Sequence, residues 1–378
     1  MRGILTLAFK LLVNDRSKFT ALILGLTFSV FLMLLITSMF VGVMQRASAT
    51  VLNTGAPIWV MDPAVNTVAN SIPMPDYVLD AVRGMNGVKF AVPLYSGGAL
   101  AKLQDGNYQS VTVLGLDDTT LYGRPDLLEG HIEDLYGDDA FVVVRDPEYG
   151  KLNSPTIGTT FEINDHRAVI VGIARLPMSG LFGLPTLYTT YRRAIADIPS
   201  ARYTLCYVLV EPQSDAAVPA IVEQVTRLGY RALTADGFVR QTKSFYIFQT
   251  GMGTNILIMT VISFVVGLSI SGQTFYTFIL ENLERFGALK AIGAKSRELI
   301  AVILFQASLT SLTGYGLGVG LCTIVIALAK LRLPDYAATI TYSNLSIALF
   351  MVIVIAAVSG YVGVRRVIRV EPFDIFRG

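Results

Sequence analysis

Residues 19–44 read FTALILGLTFSVFLMLLITSMFVGVM, a run of 26 positions without a charged side chain. About 20 apolar residues are enough for a helix to cross the ~30 Å hydrocarbon core of a bilayer. The small residues at 47–49 that follow resemble a signal-peptidase site, but a signal peptide has an apolar region of only ~7–15 residues. We therefore predict that this run is a transmembrane helix.

Three further charge-free runs lie at residues 244–280, 299–329 and 337–364, in a chain that is 53% hydrophobic and 15% charged. Each is long enough to span a membrane, so the sequence predicts four spans. Channels and ion-coupled transporters are disfavoured, because they place ionisable groups in their spans and these runs hold none. The chain also contains no G-x-x-x-x-G-K-[ST] phosphate-binding loop, so any driving energy must come from another polypeptide.

The short segments that flank the spans predict the orientation of the chain in the membrane. Residues 1–18, 281–298 and 365–378 each hold four Lys or Arg, whereas residues 330–342 hold two. Because cytoplasmic loops are enriched in Lys and Arg, we expect both termini and the 281–298 segment to be cytoplasmic. Residues 45–245 then lie outside the cell membrane.

Residues 45–245 differ in charge from the rest of the chain. They hold 16 Lys and Arg against 21 Asp and Glu, a net charge of −5, whereas the remaining residues have a net charge of +7. The whole chain is near neutral at +2, which argues against a nucleic-acid partner. The charge therefore divides the chain into a part suited to the membrane and a part suited to water.

The outer segment shows a helix followed by a strand twice, at residues 75–85 with 88–94 and at residues 215–228 with 230–233. These pairs predict two related β-α-β halves that bracket an insert. The insert is expected to be mostly strands, because it holds short apolar or alternating runs bounded by turn residues. Those runs and the strand before the second helix are at 110–114, 141–144, 168–173 and 204–210.

Catalytic and metal-binding patterns are missing from the sequence. His131 and His166 lie 35 positions apart without a Cys/His cluster, and no G-x-S-x-G motif occurs. We therefore expect no catalytic residue, no metal and no cofactor bound by this chain. The two cysteines, Cys206 and Cys322, fall in a polar and an apolar region, so no disulfide framework is expected.

An apolar loop at residues 176–185 stands out in a domain that should face water. Its large side chains are Met178, Leu181, Phe182 and Leu184. It could bind a partner or skim the membrane, or it could simply fill the core of the domain.

The third span carries four glycines at every second position, Gly314, Gly316, Gly318 and Gly320. Pairs spaced by four residues allow helix backbones to approach closely, so a packing role is favoured over a gating hinge.

Residues 281–298 read ENLERFGALKAIGAKSRE and are expected to form a short charged helix. Leu283, Phe286, either Leu289 or Lys290, and Ile292 recur at three- and four-residue spacing, so one face would be an apolar stripe. Such a stripe fits a groove on a soluble partner, with Gly287 and Gly293 allowing close approach. On the pattern alone, a helix lying on the lipid headgroups is somewhat favoured over this docking interpretation.

The motif at residues 284–294, ERFGALKAIGA, resembles the signature of the FtsX-like permease family, the MacB type of ABC transporter. Residues 113–117, 128–130 and 171–173 look closest to the DevC-like branch, and the tail carries a Pro-x-x-x-x-R motif ending at Arg377. The resemblance covers the whole chain. It implies a type VII ABC transporter that works by mechanotransmission, in which no transmembrane pore need carry the substrate.

The resemblance also implies the partners and the site. Two copies of a separate ABC ATPase would bind ATP and Mg, and this chain would form a homodimer. A periplasmic adaptor of the membrane-fusion type and an outer-membrane duct would complete the assembly. The implied ATPase-coupling residues are Glu281, Leu283, Glu284, Arg285, Phe286, Gly287, Leu289, Lys290, Ala291, Ile292, Gly293 and Lys295.

The expected fold is an α-helical membrane protein with four transmembrane helices and a large α+β extracytoplasmic (periplasmic) domain inserted between helices one and two. The N-terminal helix, with Ile4, Ala8, Leu11 and Leu12 on one side, is expected to lie at the membrane interface and brace span one. The expected segments are an N-terminal amphipathic helix at 1–18, span one at 19–44, the MacB-like periplasmic core domain at 45–245, span two at 246–280, the coupling helix at 281–298, span three at 299–329, an outer hairpin at 330–342, span four at 343–364 and a cytoplasmic tail at 365–378.

The expected function is that of a non-catalytic permease subunit in a bacterial inner membrane, which drives efflux of a hydrophobic or amphipathic substrate. The alternative is an FtsX-like signalling subunit that activates an extracytoplasmic cell-wall hydrolase. A membrane enzyme acting alone is disfavoured by the missing catalytic residues.

Overall fold

The computed structural model describes residues 2–14, 16–180, 183–197, 205–291, 293–333 and 336–368. The chain divides into two compact units, and each is described by itself. Met1–Gly42 and Gly253–Gly378 form the membrane unit, and Val43–Met252 form the outer unit.

Both units are built from regular elements within these described ranges. The helices are α1 (Arg2–Asn14), α2 (Arg16–Ala47), α3 (Ala49–Thr54), α4 (Tyr77–Arg83), α5 (Tyr191–Asp197), α6 (Val218–Arg227), α7 (Ala235–Phe248), α8 (Met252–Glu281), α9 (Leu283–Ala291), α10 (Ser296–Arg332) and α11 (Tyr342–Ile368). The strands are β1 (Ile58–Met61), β2 (Val88–Lys102), β3 (Tyr108–Leu116), β4 (Asp126–Glu129), β5 (Ala140–Val144), β6 (Thr160–Ile163), β7 (His166–Arg175), β8 (Thr186–Thr190), β9 (Tyr207–Pro212) and β10 (Arg231–Thr234).

Four helices are long and apolar enough to cross a membrane. They are Phe19–Ala47 within α2, all of α8, all of α10, and Tyr342–Tyr361 within α11. The α/β domain lies in the chain between the first and the second of them. The predicted fold class, four spans with a large domain inserted after the first, is therefore confirmed.

The glycines of α10 differ in their surroundings. A Cβ added to Gly314 would lie 2.6 Å from the Cβ of Leu26, and one added to Gly318 would lie 2.7 Å from the Cβ of Val30. Both partners belong to α2, so the two helices approach as closely as glycine permits. At Gly316 and Gly320 an added Cβ would meet no described atom within 4 Å.

This difference gives a matched pair of substitutions. Gly318→Val is expected to destabilise the membrane unit by about 1–3 kcal/mol, because the new side chain would overlap Val30 and the backbone oxygen of Thr27. Gly320→Val, on the open side of the same helix, is the control. The measurement is the midpoint of thermal unfolding in detergent. Equal midpoints for the two variants would contradict close packing of α2 on α10.

The outer unit contains a four-stranded antiparallel sheet with the order β10-β1-β9-β2. Strand β9 lies between β1 and β2, and β1 lies between β9 and β10, so each β-α-β half encloses a strand of the other half. Helices α4 and α6 connect the strands, and their apolar faces share one core with the sheet, including Val78 and Ile221. The prediction of two β-α-β halves around an insert is confirmed.

The insert forms a closed ring of six strands in the order β2-β3-β8-β5-β7-β6, with β6 pairing back onto β2. Closure leaves none of these six strands with a free edge on the ring. The middle of the insert is mostly strands, as predicted. The sequence pattern does not predict β6 or β8, because both are short and carry polar side chains such as Glu162 and Thr189.

Strand β2 belongs to both sheets. Its first half, Val88–Leu94, pairs with β9, and its second half, Tyr95–Lys102, pairs with β3. The main core of the outer unit lies under these sheets and contains the fully buried Trp59, Phe141 and Phe238. Cys206 is also buried in this unit, and burial raises the pKa of its thiol.

Candidate functional site

Helix α9 connects α8 to α10 within the membrane unit, and its end is fixed by a glycine. Gly293 has φ +102°, a left-handed conformation that side chains disfavour. The backbone N–H of Ala294 donates to the carbonyl of Leu289 (3.0 Å), and that of Gly293 donates to Lys290 (3.1 Å). This is a Schellman C-cap. Gly293 is thus explained by the turn rather than by the approach of a partner.

Helix α10 begins directly after this turn. The backbone N–H of Lys295 donates to the carboxylate of Glu298 (2.9 Å), which satisfies a donor at the start of the helix. The α9–α10 junction is therefore held by hydrogen bonds on both sides of a short turn.

One face of α9 is buried inside the membrane unit. Phe286 is 1% exposed and lies in a core with Leu12 of α1, Phe278 of α8 and Leu299 of α10. Leu283 and Leu289 pack against the same core, and Gly287 is buried. The apolar stripe therefore does not face a soluble partner, and that interpretation of the stripe is wrong. Periodicity identifies an apolar face without indicating what covers it. Ile292 lies outside the described residues.

The opposite face of α9 is exposed. Glu284, Ala288 and Ala291 recur at positions i, i+4 and i+7 and share this face, with Arg285 beside them. The guanidinium of Arg285 donates a hydrogen bond to the side-chain oxygen of the buried Asn282 (2.9 Å). This bond holds the Arg285 side chain near the start of the helix. Two small side chains flanked by charges form a surface that another protein can approach closely. We call Glu284, Arg285, Ala288 and Ala291 the α9 outer face.

Ala288 is the residue of this face that the sequence interpretation missed. Ala288 lies four residues after Glu284 and three before Ala291. If the apolar stripe is assigned to the core, this spacing predicts that Ala288 lies on the α9 outer face. Glu281 and Lys295, also among the predicted coupling residues, are exposed at the two ends of the segment, and Lys290 is half-buried.

Helix α1 is attached to α10. Ala8 and Leu12 are fully buried in the core that holds Phe286, and the buried Gln306 of α10 donates from its side-chain nitrogen to the carbonyl of Ala8 (2.9 Å). The N-terminal helix therefore packs its buried side, with Ala8 and Leu12, on α10 and beside α9. Phe9, on another side of α1, is half exposed.

In the outer unit, the last turn of α2 makes a buried ion pair. Nη1 of Arg46 lies 3.6 Å from Oε1 of Glu148, whose side chain is 1% exposed. Glu148 follows Asp146, whose carboxylate accepts a hydrogen bond from the backbone N–H of Glu148 (3.1 Å). The end of the first spanning helix is thus tied to the segment after β5.

The apolar loop at 176–185 is held by Asn53 of α3. The Asn53 side chain donates to the carbonyl of Met178 (2.7 Å) and accepts from its backbone N–H (3.3 Å). Met178 and Leu184 are half-buried. The other two predicted loop residues, Leu181 and Phe182, lie outside the described residues.

Both histidines lie on the surface of the outer unit. His131 and His166 are each more than half exposed, and each has one carboxylate nearby, Asp134 and Asp197. Within the described ranges no group of three or more His, Cys, Asp or Glu side chains could hold a metal ion.

These features define a class: a multi-span membrane protein with a large outer domain and an exposed helical connection between its second and third spans. Residues 20–228 match the MacB-like periplasmic core domain, and residues 256–372 match the FtsX-like permease C-terminal domain. The chain belongs to this MacB/FtsX family of ABC transporter permeases. The resemblance of the 284–294 motif to the FtsX-like permease family is therefore confirmed at the level of the family.

The chain is similar to relatives over most of its length and to parts of solved structures. Proteins named "uncharacterized ABC transporter permease" from two strains of Mycobacterium tuberculosis are 27% identical over 363 residues, covering 95% of this chain and 93% of theirs. The extracellular domain of the noncanonic ABC-type transporter YknZ from Gram-positive bacteria has a TM-score of 0.37 at 16% identity, covering 47% of this chain and 98% of that domain. The periplasmic region of MacB from Actinobacillus actinomycetemcomitans has a TM-score of 0.37 at 13% identity, covering 50% of this chain and 92% of that region.

Proposed function

We propose that this chain is the non-catalytic permease subunit of an ATP-driven exporter of the MacB/DevC type. Two copies of a separate ABC ATPase bind ATP and Mg, and two copies of this chain form a homodimer in the bacterial inner membrane with both termini cytoplasmic. The outer domain works with a periplasmic adaptor of the membrane-fusion type and an outer-membrane duct. The substrate is a hydrophobic or amphipathic molecule.

The observation that carries the proposal is the two-sided character of α9. Its outer face offers Ala288 and Ala291, which follow Glu284 and Arg285 on the exposed side of the helix, and this suits a groove on the ATPase. Its inner face places Phe286 in the core formed with α1, α8 and α10. Because packed cores move as bodies rather than deform, a displacement of α9 by the ATPase is passed to these helices.

The ion pair between Arg46 and Glu148 supports the next step of the proposal, in which motion of α2 acts on the outer unit. Helix α2 is continuous from Arg16 to Ala47, so it carries the first span and ends in the outer unit. Arg46 pairs there with the buried Glu148. A shift of α2 along its axis therefore acts on the outer unit through this pair as well as through the chain itself.

The test is purification of the full chain from its native host in mild detergent after crosslinking, followed by mass spectrometry. An ATPase together with a membrane-fusion adaptor is the expected result. An ATPase together with a cell-wall hydrolase would replace export by the signalling alternative. Recovery of the chain without any ATPase would contradict the proposal as a whole.

A further inference from the structure

The outer unit contains a cavity of about 180 Å³ that the proposed function does not use. Its floor is one face of three neighbouring strands, β2, β3 and β8. The register pairs Ser96 with Leu114 and Leu114 with Tyr188 in one row. The next row pairs Gly98 with Thr112 and Thr112 with Thr186. Side chains two positions apart on a strand share a face, so all six line the same cavity.

The cavity is covered by the end of α2, by α3 and by the loop that follows β7. Arg46, Thr50 and Asn53 line it from α2 and α3, and Leu176 and Leu184 line it from the loop before β8. The Asn53 side chain holds that loop through both of its hydrogen bonds to Met178. The walls are thus fixed to each other by contacts within the outer unit.

Tyr188 contributes a hydroxyl group to the lining of the cavity. Its side chain is 2% exposed, and its hydroxyl forms no hydrogen bond to any residue that the structure describes. This oxygen is not fully enclosed, because it opens on the cavity, where water or a bound molecule can pair with it. Burial also raises the pKa of this hydroxyl, so it stays protonated and can donate. An acceptor on a bound molecule would satisfy it.

Gly98 also lines the cavity. It lies within the regular ladder between β2 and β3, where glycine is unfavourable unless space is needed. An added Cβ would meet no described atom within 4 Å. Gly98 is itself exposed, so it lies at the mouth of the cavity and leaves room there for a ligand.

The charges of the lining indicate the kind of ligand. Among the described residues that line the cavity, Arg46 is the one with a charge. Its Nη1 faces Glu148, which does not line the cavity, and a guanidinium has five donors in all. Together with the hydroxyls of Tyr188 and Thr186, the lining favours a ligand rich in acceptor oxygens. Leu114, Leu176 and Leu184 provide apolar contact for its remaining part.

We propose that this cavity binds a small carboxylic acid whose apolar part is an aromatic ring or a short alkyl chain. The size agrees, because a cavity of ~150 Å³ is known to accept benzene. The carboxylate accepts hydrogen bonds from Arg46 and Tyr188, and the apolar part lies against the leucines and Gly98. This site is independent of the proposed export function, since it requires neither an ATPase nor an adaptor.

The test uses benzoate as the probe and the full chain in lipid nanodiscs, with empty nanodiscs subtracted. Saturation-transfer NMR titrations are expected to give saturable binding of benzoate. Benzylammonium has a similar size and the opposite charge, and its binding is expected to be at least about tenfold weaker. Absence of saturable benzoate binding would overturn the proposal, and equal binding of the two probes would overturn its assignment to an acid.

Three variants locate the binding. Tyr188→Phe removes one donor without changing the ring, and is expected to weaken benzoate binding about tenfold. Gly98→Leu is expected to abolish binding by filling the cavity. Tyr108→Phe, at an exposed strand tyrosine outside the lining, is the control and should bind like the wild type. Fluorescence of Trp59, the single tryptophan, reports whether each variant is folded. Wild-type binding by folded Tyr188→Phe would place the ligand elsewhere.

Discussion

Replacement of Ala288 by arginine is expected to abolish binding of the ATPase while leaving the permease folded. Ala288 is exposed on the α9 outer face, so a larger side chain has room in the isolated chain. In the complex the same side chain would occupy the groove that receives α9, and the loss of affinity is expected to exceed about tenfold. The measurement is co-purification of the ATPase together with the ATPase rate of the reconstituted pair.

Two further substitutions separate docking from folding. Ala288→Ser keeps a small side chain and should retain the ATPase. Phe286→Asp would place a carboxylate in the core with Leu12 and Phe278, so it should remove folded protein altogether rather than uncouple it. Normal ATPase recovery with Ala288→Arg would show that the α9 outer face is not the docking surface.

The second large effect is expected at the ion pair between Arg46 and Glu148. Arg46→Met should destabilise the outer unit by about 1–3 kcal/mol, because it removes the guanidinium that lies 3.6 Å from the buried Glu148 carboxylate. The double variant Arg46→Met with Glu148→Gln should recover part of this loss, since the buried charge of Glu148 is removed together with that of Arg46. Thermal unfolding followed by the fluorescence of Trp59, which lies in the core of the outer unit, measures both effects.

The matched control is the pair Arg227 and Glu223 on α6. Both side chains are more than half exposed and lie at i, i+4 spacing. Exposed pairs of this kind contribute only about 0.3–0.5 kcal/mol, so Arg227→Met should hardly change the midpoint. A similar small change for Arg46→Met would mean that Glu148 does not depend on Arg46. The proposed route from α2 into the outer unit would then lose its support.

Much of the fold could be predicted from the sequence, because the strongest signals in it are local. The four charge-free runs predict the four spans, and the two helix–strand pairs predict the two β-α-β halves. Ring closure could not be predicted, since the pairing of β6 with β2 joins residues about sixty positions apart. The short strand β8 is missed for a related reason. Its polar residues are buried by neighbouring strands rather than marked by an alternating pattern.

Residues 281–298 illustrate the same limit at the level of function. Their motif indicates where the ATPase-coupling helix should lie, and their periodicity indicates that one face is apolar. Which body covers that face depends on α1, α8 and α10, and the sequence of α9 holds no information on their positions. The cavity depends on the mutual register of three strands, so no single stretch of sequence could reveal it.

The position of β1 affects how the outer unit can acquire its structure during synthesis. Residues 58–61 are the first strand to follow the first span, yet their partners are residues 207–212 and 231–234. The strand therefore stays unpaired until almost the whole domain has been translocated. Contacts of such large sequence separation form slowly, and the exposed strand is vulnerable to aggregation meanwhile. Folding of this domain is thus a late event in biogenesis, completed only about when the second span enters the bilayer.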